Sequence, residues 1–178
     1  KDEIQHINEM VDRLLAIARY DNSKVIMHNE RFSVNRLAAS VIKSMSGLCQ
    51  PGTFELKSQT GNIELTADKV MIRQLLGILL DNAVKYTGDN KKIAITLEKI
   101  ASSVKITVKD NGIGIPKKAK KHIFSDIYRA ENARQSQEEG TGFGLLQVQR
   151  IVKMLHGKIT FCSEESKGTT FIVTLPRT

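Results

Sequence analysis

A long apolar stripe of helical period, followed at once by two alternating segments, constrains the fold of this 178-residue chain most strongly. Asp68 is a good N-cap for the helix, because its carboxylate can accept hydrogen bonds from free backbone N–H groups. Beyond the helix, apolar and polar residues alternate over 93–98 and 104–108, which predicts two half-buried strands joined by a hairpin at 100–103. The apolar stripe comprises Ile72, Leu75, Leu76, Leu79, Leu80 and Ala83. A helix and strands that each bury one face predict a two-layer α+β fold.

Further elements are predicted on both sides of this unit. A helix capped by Ser33 runs to about Met45 and ends before Pro51. Strands are predicted at 53–57, 62–65, 158–163 and 169–175. Another helix places on one face Leu145, Val148, Ile151, Val152 and Leu155. We therefore expect a mixed, mostly antiparallel sheet with about three helices on one of its faces.

The first 22 residues carry an apolar seam of their own. The seam comprises Ile4, Ile7, Val11, Leu14 and Ala18. Its three- and four-residue steps predict an amphipathic helix, which either packs on its own domain or forms the end of a dimerising helical hairpin. We favour the hairpin, because a separate helix begins soon afterwards at Ser33.

Composition narrows the class of protein. Apolar residues make up 40% and charged residues 26%, which is typical of a globular protein, and no apolar run reaches the roughly 20 residues that span a bilayer. The chain opens at Lys1 without a methionine or a signal peptide, so we expect a fragment of a longer protein. Cys49 and Cys162 have no metal-site or redox spacing and are expected to be reduced and buried.

The formal net charge of +8 permits a nucleic acid, an acidic protein surface or a polyphosphate as partner. Aromatic residues make up only 5% of the chain and are not interleaved with the basic ones. The stacking platform of a protein that binds single strands is therefore missing, and we do not expect a nucleic-acid partner.

The first of three polar clusters, 79–87, ends the long helix. Ile78, Asn82 and Lys85 fall on one strip beside the buried stripe, and Asp81 points away from it. An amide oxygen and an ammonium on one strip suit a metal-bound polyphosphate, with Asn82 on Mg²⁺ and Lys85 on phosphate. The alternative is a solvated pair on an exposed helix flank.

The second cluster, 110–116, follows the strand at 104–108. The Asp110 carboxylate can accept a hydrogen bond from the exocyclic amine of adenine. Gly112 and Gly114 can let the backbone approach a ring closely or adopt positive φ. The alternative is a hairpin turn at Asn111-Gly112, but the residues that follow end in proline and make a poor returning strand.

The third cluster, 140–145, ends a polar loop and opens a helix. A glycine-rich helix N-terminus presents free N–H groups to phosphate, whereas the alternative is a flexible hinge. The preceding loop, 116–139, is rich in lysine, and a loop of this length is typical of a lid. Three such clusters around one core predict a nucleotide site.

In this order the clusters resemble the N, G1 and G2 boxes of the GHKL group of ATP-binding domains, and within it the sensor histidine kinases of two-component systems. Residues 123–129 resemble the F box, and 167–171 resemble the closing signature of those kinases. The resemblance covers 30–178 and implies a Bergerat-type fold with 117–139 as the ATP lid. It also implies that 1–22 are the second helix of the dimerisation hairpin.

The resemblance implies roles for individual residues. Asn82 would bind Mg²⁺, Asp110 would bind the adenine amine, and Thr169 would support Asp110 through water. Further positions implied to bind ATP or ADP are Lys85, Tyr86, Gly112, Gly114, Ile115, Arg129, Arg134, Gly140, Thr141, Gly142, Gly144 and Leu145.

The activity implied is transfer of the ATP γ-phosphoryl group to a histidine on an upstream hairpin, for relay to the receiver domain of a response regulator. The full-length protein would be a homodimer in the cell membrane, with this domain in the cytoplasm. His6 lacks the acidic neighbour of a phosphoacceptor histidine, so we expect it to lie on a helix surface. The chain alone should bind ATP without phosphorylating itself, and no catalytic residue is assigned in it.

Ile78 departs from the family pattern. Histidine kinases usually carry an asparagine there, and the ATPase relatives carry a glutamate that activates water. Because isoleucine cannot act as a base, hydrolysis is disfavoured. A degenerate docking module and, less favoured, an ATPase of the same fold stay open as alternatives. Ile127 and His156-Gly157-Lys158 also depart from the pattern, as tolerable packing variations.

Overall fold

A computed structural model describes residues 26–125 and 143–177 of the chain. The elements are β1 (Asn29–Ser33), α1 (Val34–Met45), a 3₁₀ turn (Ser46–Leu48), β2 (Phe54–Ser58), β3 (Glu64–Asp68), α2 (Lys69–Lys85), β4 (Ile93–Ile100), β5 (Ser103–Lys109), α3 (Gly144–Met154), β6 (Lys158–Glu164) and β7 (Gly168–Pro176). The helix expected over 1–22 lies outside the described residues, as does most of the expected lid.

Five strands form one mixed sheet in the order β2-β4-β5-β7-β6. β2 runs parallel to β4 and the other pairings are antiparallel, which confirms the predicted mixed, mostly antiparallel sheet. Ala101 lies in the β4–β5 hairpin with φ 44°. A separate antiparallel ribbon joins β1 and β3, and the start of α1 is tied to it by a hydrogen bond from Val34 N to Ile63 O (2.9 Å).

The three helices of the described ranges cover one face of the sheet, which confirms the predicted α+β class. On β4 and β5 the inward residues are buried and the alternate ones are half-buried, so burial is concentrated on the helical side. The predicted apolar stripe of α2 is entirely buried. Ser33 caps α1 as predicted, because its Oγ accepts a hydrogen bond from Arg36 N at 3.2 Å.

Several details differ from the sequence-based expectations. The strand predicted to start at Asn62 starts at Glu64 instead, because its partner β1 ends at Ser33, which lies opposite Glu64 and caps α1. The prediction that both thiols are buried is wrong: Cys162 is exposed because β6 is an edge strand, and Cys49 is half-buried. On α3 it is Leu146, rather than Leu145, that is buried.

The first part of the expected lid packs on the domain as a run of turns. The turns begin at Pro116, where Ala119 N donates to Pro116 O at 2.9 Å. Ala119 and Ile123 are buried, and Lys120 Nζ donates to Ser163 O. Among the described helices, none combines the length and the apolar character required to cross a membrane.

Substitution of Asp68 tests how the long helix is anchored. Its Oδ1 accepts from Val70 N (3.0 Å) and Met71 N (3.1 Å), and its Oδ2 accepts from His28 N (3.1 Å). Because Asp68 is buried and all three donors lose their acceptor, Asp68→Ala should lower the free energy of unfolding by about 2 kcal/mol in urea denaturation. Ser33→Ala, which removes the cap of α1, should cost about half as much. Equal losses would contradict this account.

Candidate nucleotide site

The carboxyl-terminal half of α2 is where the three clusters meet. Its end touches the second cluster, because Ile113 N donates to Tyr86 O at 2.9 Å. One turn earlier it faces the third cluster: a Cβ built at Gly144 would lie 3.0 Å from Ile78 Cγ2 and 4.0 Å from Asn82 Nδ2. Packing of α3 and of the loop after β5 against α2 therefore brings together residues that are far apart in sequence.

Asp110 is the buried carboxylate of this region. It follows β5 and is only 7% exposed. Its Oδ1 accepts two backbone hydrogen bonds, from Gly112 N at 2.9 Å and from Thr169 N at 3.0 Å. Within the described part of the chain Oδ2 has no such donor, so it is the oxygen that can accept from a ligand.

Burial raises the pKa of Asp110 above its ordinary value of 3.8, and the hydrogen bonds from Gly112 and Thr169 oppose that rise. The contact between Asp110 and Thr169 is direct and made by the backbone, because Asp110 N also donates to Thr169 O at 2.9 Å. The Thr169 hydroxyl lies 2.9 Å from Ser163 Oγ. Thr169 thus holds Asp110 through its backbone, and the support expected through water stays a prediction.

The glycines of the second cluster are required by contacts within the protein. A Cβ on Gly112 would lie 2.2 Å from Tyr86 O, and one on Gly114 would lie 2.0 Å from Glu164 O. Gly114 also has φ +66°, as the positive-φ expectation requires. Bends and turns, rather than a strand, follow directly after Asn111-Gly112, so the hairpin alternative is wrong.

Two residues near Asp110 escaped the sequence analysis as site residues. Gly168 has φ +98°, and a Cβ there would lie 2.1 Å from Asp110 O. Ser163 Oγ accepts from Ile115 N at 2.8 Å and donates to Gly168 O at 3.0 Å. Gly168 could have been found from the sequence, because it is a glycine directly before Thr169. No local pattern identifies Ser163, because its partners lie in a distant loop or in the neighbouring strand.

Lys85 is already paired in the protein. Its Nζ lies 2.7 Å from Asp81 Oδ2, one helical turn away. The expectation that Asp81 points away from this strip is wrong for Lys85, because residues four apart on a helix are neighbours on one face. Both members of the pair are only partly exposed. A phosphate that binds Lys85 must therefore compete with the Asp81 carboxylate.

Ile78 is a packing residue. It is half-buried, contacts the hydrophobic core, and its Cγ2 lies close to the position that a Cβ at Gly144 would take. An isoleucine methyl group thus occupies the space between α2 and the first residue of α3. The departure from the family pattern has a local physical reason, since apolar contact here holds the start of α3 against α2.

The third cluster is described only from Phe143 onward. Gly140, Thr141 and Gly142 lie outside the described residues, as do Arg129 and Arg134. Phe143 is the N-cap of α3 and provides no side-chain cap. The first turn of α3, at Gly144 and Leu145, therefore presents backbone N–H groups with no side-chain acceptor from the cap.

The donor set near Asn82 fits Mg²⁺ only in company with a ligand. In the described ranges no three His, Cys, Asp or Glu side chains come together as a metal site. Asn82 is half-buried on α2 and can offer one amide oxygen. Because Mg²⁺ in nucleotide sites is held by few protein oxygens together with phosphates and water, one such ligand is sufficient.

Solved structures share this architecture. The catalytic domain of histidine kinase ThkA superposes with a TM-score of 0.73 at 28% identity, covering 85% of this chain and 97% of that one. ThkA in complex with response regulator protein TrrA matches with a TM-score of 0.76 at 24% identity, over 98% of this chain and 49% of that one. Full-length ShkA in complex with AMPPNP matches with a TM-score of 0.81 at 24% identity, over 97% and 36%. The fold is that of histidine kinase catalytic domains.

Sequence comparison agrees. The family model described as histidine kinase-, DNA gyrase B-, and HSP90-like ATPase matches residues 67–178. Signal transduction histidine-protein kinase ArlS of Staphylococcus epidermidis (strain ATCC 12228 / FDA PCI 1200) is 33% identical over 175 residues, which are 98% of this chain and 38% of ArlS. The chain thus spans less than half the length of that relative. It belongs to this ATPase family, as a catalytic domain of the histidine kinase kind.

Gly112→Ala tests the contact between the first two clusters. The new methyl group would overlap the Tyr86 carbonyl oxygen, so we expect a loss of about 2 kcal/mol in the free energy of unfolding. Gly88→Ala is the matched control, because nothing lies within 4 Å of its Cβ position. The control should change stability by less than about 0.5 kcal/mol. A tolerated Gly112→Ala would show that Tyr86 and Gly112 are not held together in solution.

Asp110→Asn tests the buried charge. Burial raises the pKa of Asp110 in the folded protein above its value in the unfolded chain. Protonation of Asp110 therefore adds to the free energy of unfolding in full below the unfolded pKa, and this contribution is lost as pH rises through the folded pKa. The amide keeps an oxygen for Gly112 N and Thr169 N and carries no charge. The variant should therefore be more stable than wild type at pH 7, and its advantage should shrink towards about pH 4. Urea denaturation at both pH values measures this, and an advantage independent of pH would refute it.

Proposed function

We propose that this domain binds Mg-ATP at the carboxyl-terminal half of α2 and selects adenine through Asp110. The observation that carries the proposal is the buried Asp110 carboxylate, whose Oδ1 is occupied by two backbone donors while Oδ2 is available. A carboxylate so placed accepts from the amine of adenine, whereas guanine has a carbonyl at that position. Leaving the carboxylate unpaired in a buried site costs more than losing one exposed hydrogen bond.

The phosphates are proposed to lie between α2 and the start of α3. Gly144 packs closely on Ile78 beside Asn82, so N–H groups of the helix N-terminus and the amide of Asn82 converge there. Lys85 would leave Asp81 to contact a phosphate. Mg²⁺, when bound with the nucleotide, neutralises phosphate charge. Tyr86, Ile115 and Thr169 hold the adenine end in place through their backbone contacts.

The reaction proposed for the whole protein is transfer of the γ-phosphoryl group to a histidine of a dimerisation hairpin. A response regulator would then accept the group on an aspartate. The support comes from the relatives: ArlS is named a signal transduction histidine-protein kinase, and ThkA is solved with the response regulator TrrA. A homodimeric parent protein in the membrane, with this domain in the cytoplasm, belongs to the same proposal.

Hydrolysis of ATP by water is disfavoured by Ile78. The residue that would activate water is replaced by an apolar side chain that packs on Gly144. The same packing also weakens the alternative of a degenerate docking module. An isoleucine with a structural role does not indicate a lost ligand, since Asn82 and Asp110 are both retained.

Calorimetric titration of Mg-ATP into the 178-residue chain tests the proposal. Asp110→Asn should weaken binding at least about tenfold, because the amide oxygen stays on Gly112 N and Thr169 N and the NH₂ group then faces the adenine amine, donor against donor. Asp89→Asn is the matched control, since Asp89 is exposed nearby, and it should leave affinity within about twofold. The proposal would be contradicted if the parent chain did not bind Mg-ATP, or if both variants lost affinity equally.

A further inference from the structure

A pocket opens at the amino-terminal end of α2, away from the candidate nucleotide site. It has a volume of about 440 Å³ and lies between β1, the first turns of α1 and α2, and the loop before β3. Buried Phe32 and Leu37 form its floor. We refer to it as the basic pocket, because its walls carry Arg31, Arg36, Lys69 and Arg73. A concave site of this size is in the range of small-molecule pockets.

Two of its four cations are neutralised locally. Arg31 forms an ion pair with Glu64, and Lys69 Nζ lies 3.4 Å from Glu30 Oε1. Arg73 instead donates to the hydroxyl of Ser40 at 3.1 Å. Neither Arg36 nor Arg73 has a carboxylate partner among the described residues. The basic pocket therefore holds two guanidinium groups that no carboxylate of residues 26–125 and 143–177 neutralises.

Both groups belong to the wall of one cavity. Ser40 lies one helical turn after Arg36 on α1, so the two side chains are neighbours on the same helix face. The contact from Arg73 to Ser40 brings the guanidinium of α2 to that face. The hydroxyl of Ser33 and the amide of Asn62 line the same cavity and add polar groups near the start of α1.

We propose that the basic pocket binds a small polyanion carrying two or more phosphate or carboxylate groups. Guanidinium groups bind such oxyanions with paired, charge-assisted hydrogen bonds. Two of them, set on different helices, match a ligand with more than one anionic centre, and the cavity is larger than one phosphate needs. Arg73 and Asn82 are nine residues apart on α2, about 14 Å along the helix, so this site is separate from the nucleotide site.

Inorganic pyrophosphate, added without metal to the ¹⁵N-labelled chain, is the probe. Backbone amide shifts should change and saturate in 33–40 and 69–73. Arg36→Gln combined with Arg73→Gln should weaken the apparent affinity at least about tenfold, as expected when two charge-assisted contacts are lost. Both residues are exposed on helices, so the double variant should keep the fold.

Lys43→Gln combined with Lys153→Gln is the matched control, because it removes the same charge from exposed positions in the last turns of α1 and α3. The control should change affinity by less than about threefold. If both double variants weakened the affinity for pyrophosphate equally, the effect would come from net charge alone, and the proposal would be overturned. Shifts confined to residues around Asn82 and Gly144, or no saturation, would also overturn it, whatever the outcome for ATP.

Discussion

The hydrogen bonds from Gly112 N and Thr169 N to Asp110 Oδ1 hold the site together. They join the end of β5 to the start of β7 and to the loop that packs on the end of α2. Close backbone contact supports them, since Gly112 lies against Tyr86 O. A buried carboxylate is costly unless it is hydrogen-bonded, and here the backbone meets that requirement for one oxygen. The other oxygen is the one proposed to accept from adenine, so under this proposal stability and recognition depend on the same side chain.

The fold followed from the sequence wherever periodicity was strong. The stripe of α2, the β4–β5 hairpin and both N-caps were predicted because each depends on residues close together in the chain. Boundary predictions were wrong where pairing between distant segments decided them, as when the end of β1 at Ser33 set the start of β3 at Glu64. The exposure of Cys162 depends on strand order, which no local pattern encodes.

Site residues show the same division. Asp110 could be chosen from sequence because a carboxylate after a strand and before two glycines is locally recognisable. The reason why Gly112 and Gly114 must be glycines could not be predicted, because the atoms packed against them are the carbonyl oxygens of Tyr86 and Glu164, which are distant in sequence. The pair between Lys85 and Asp81 was missed although their spacing of four residues is that of neighbours on a helix face. The sequence showed Ile78 only as a departure from the family pattern, whereas the structure shows that it packs against Gly144 at the start of α3.

The carboxylate of Asp110 is proposed to accept a hydrogen bond from the exocyclic amine of adenine. The most direct test compares Mg-ATP with Mg-inosine triphosphate, in which a carbonyl replaces the exocyclic amine, by calorimetric titration of the chain. Inosine triphosphate should bind at least about tenfold more weakly, because two acceptors then face each other in a buried site. Equal affinities for the two nucleotides would contradict it.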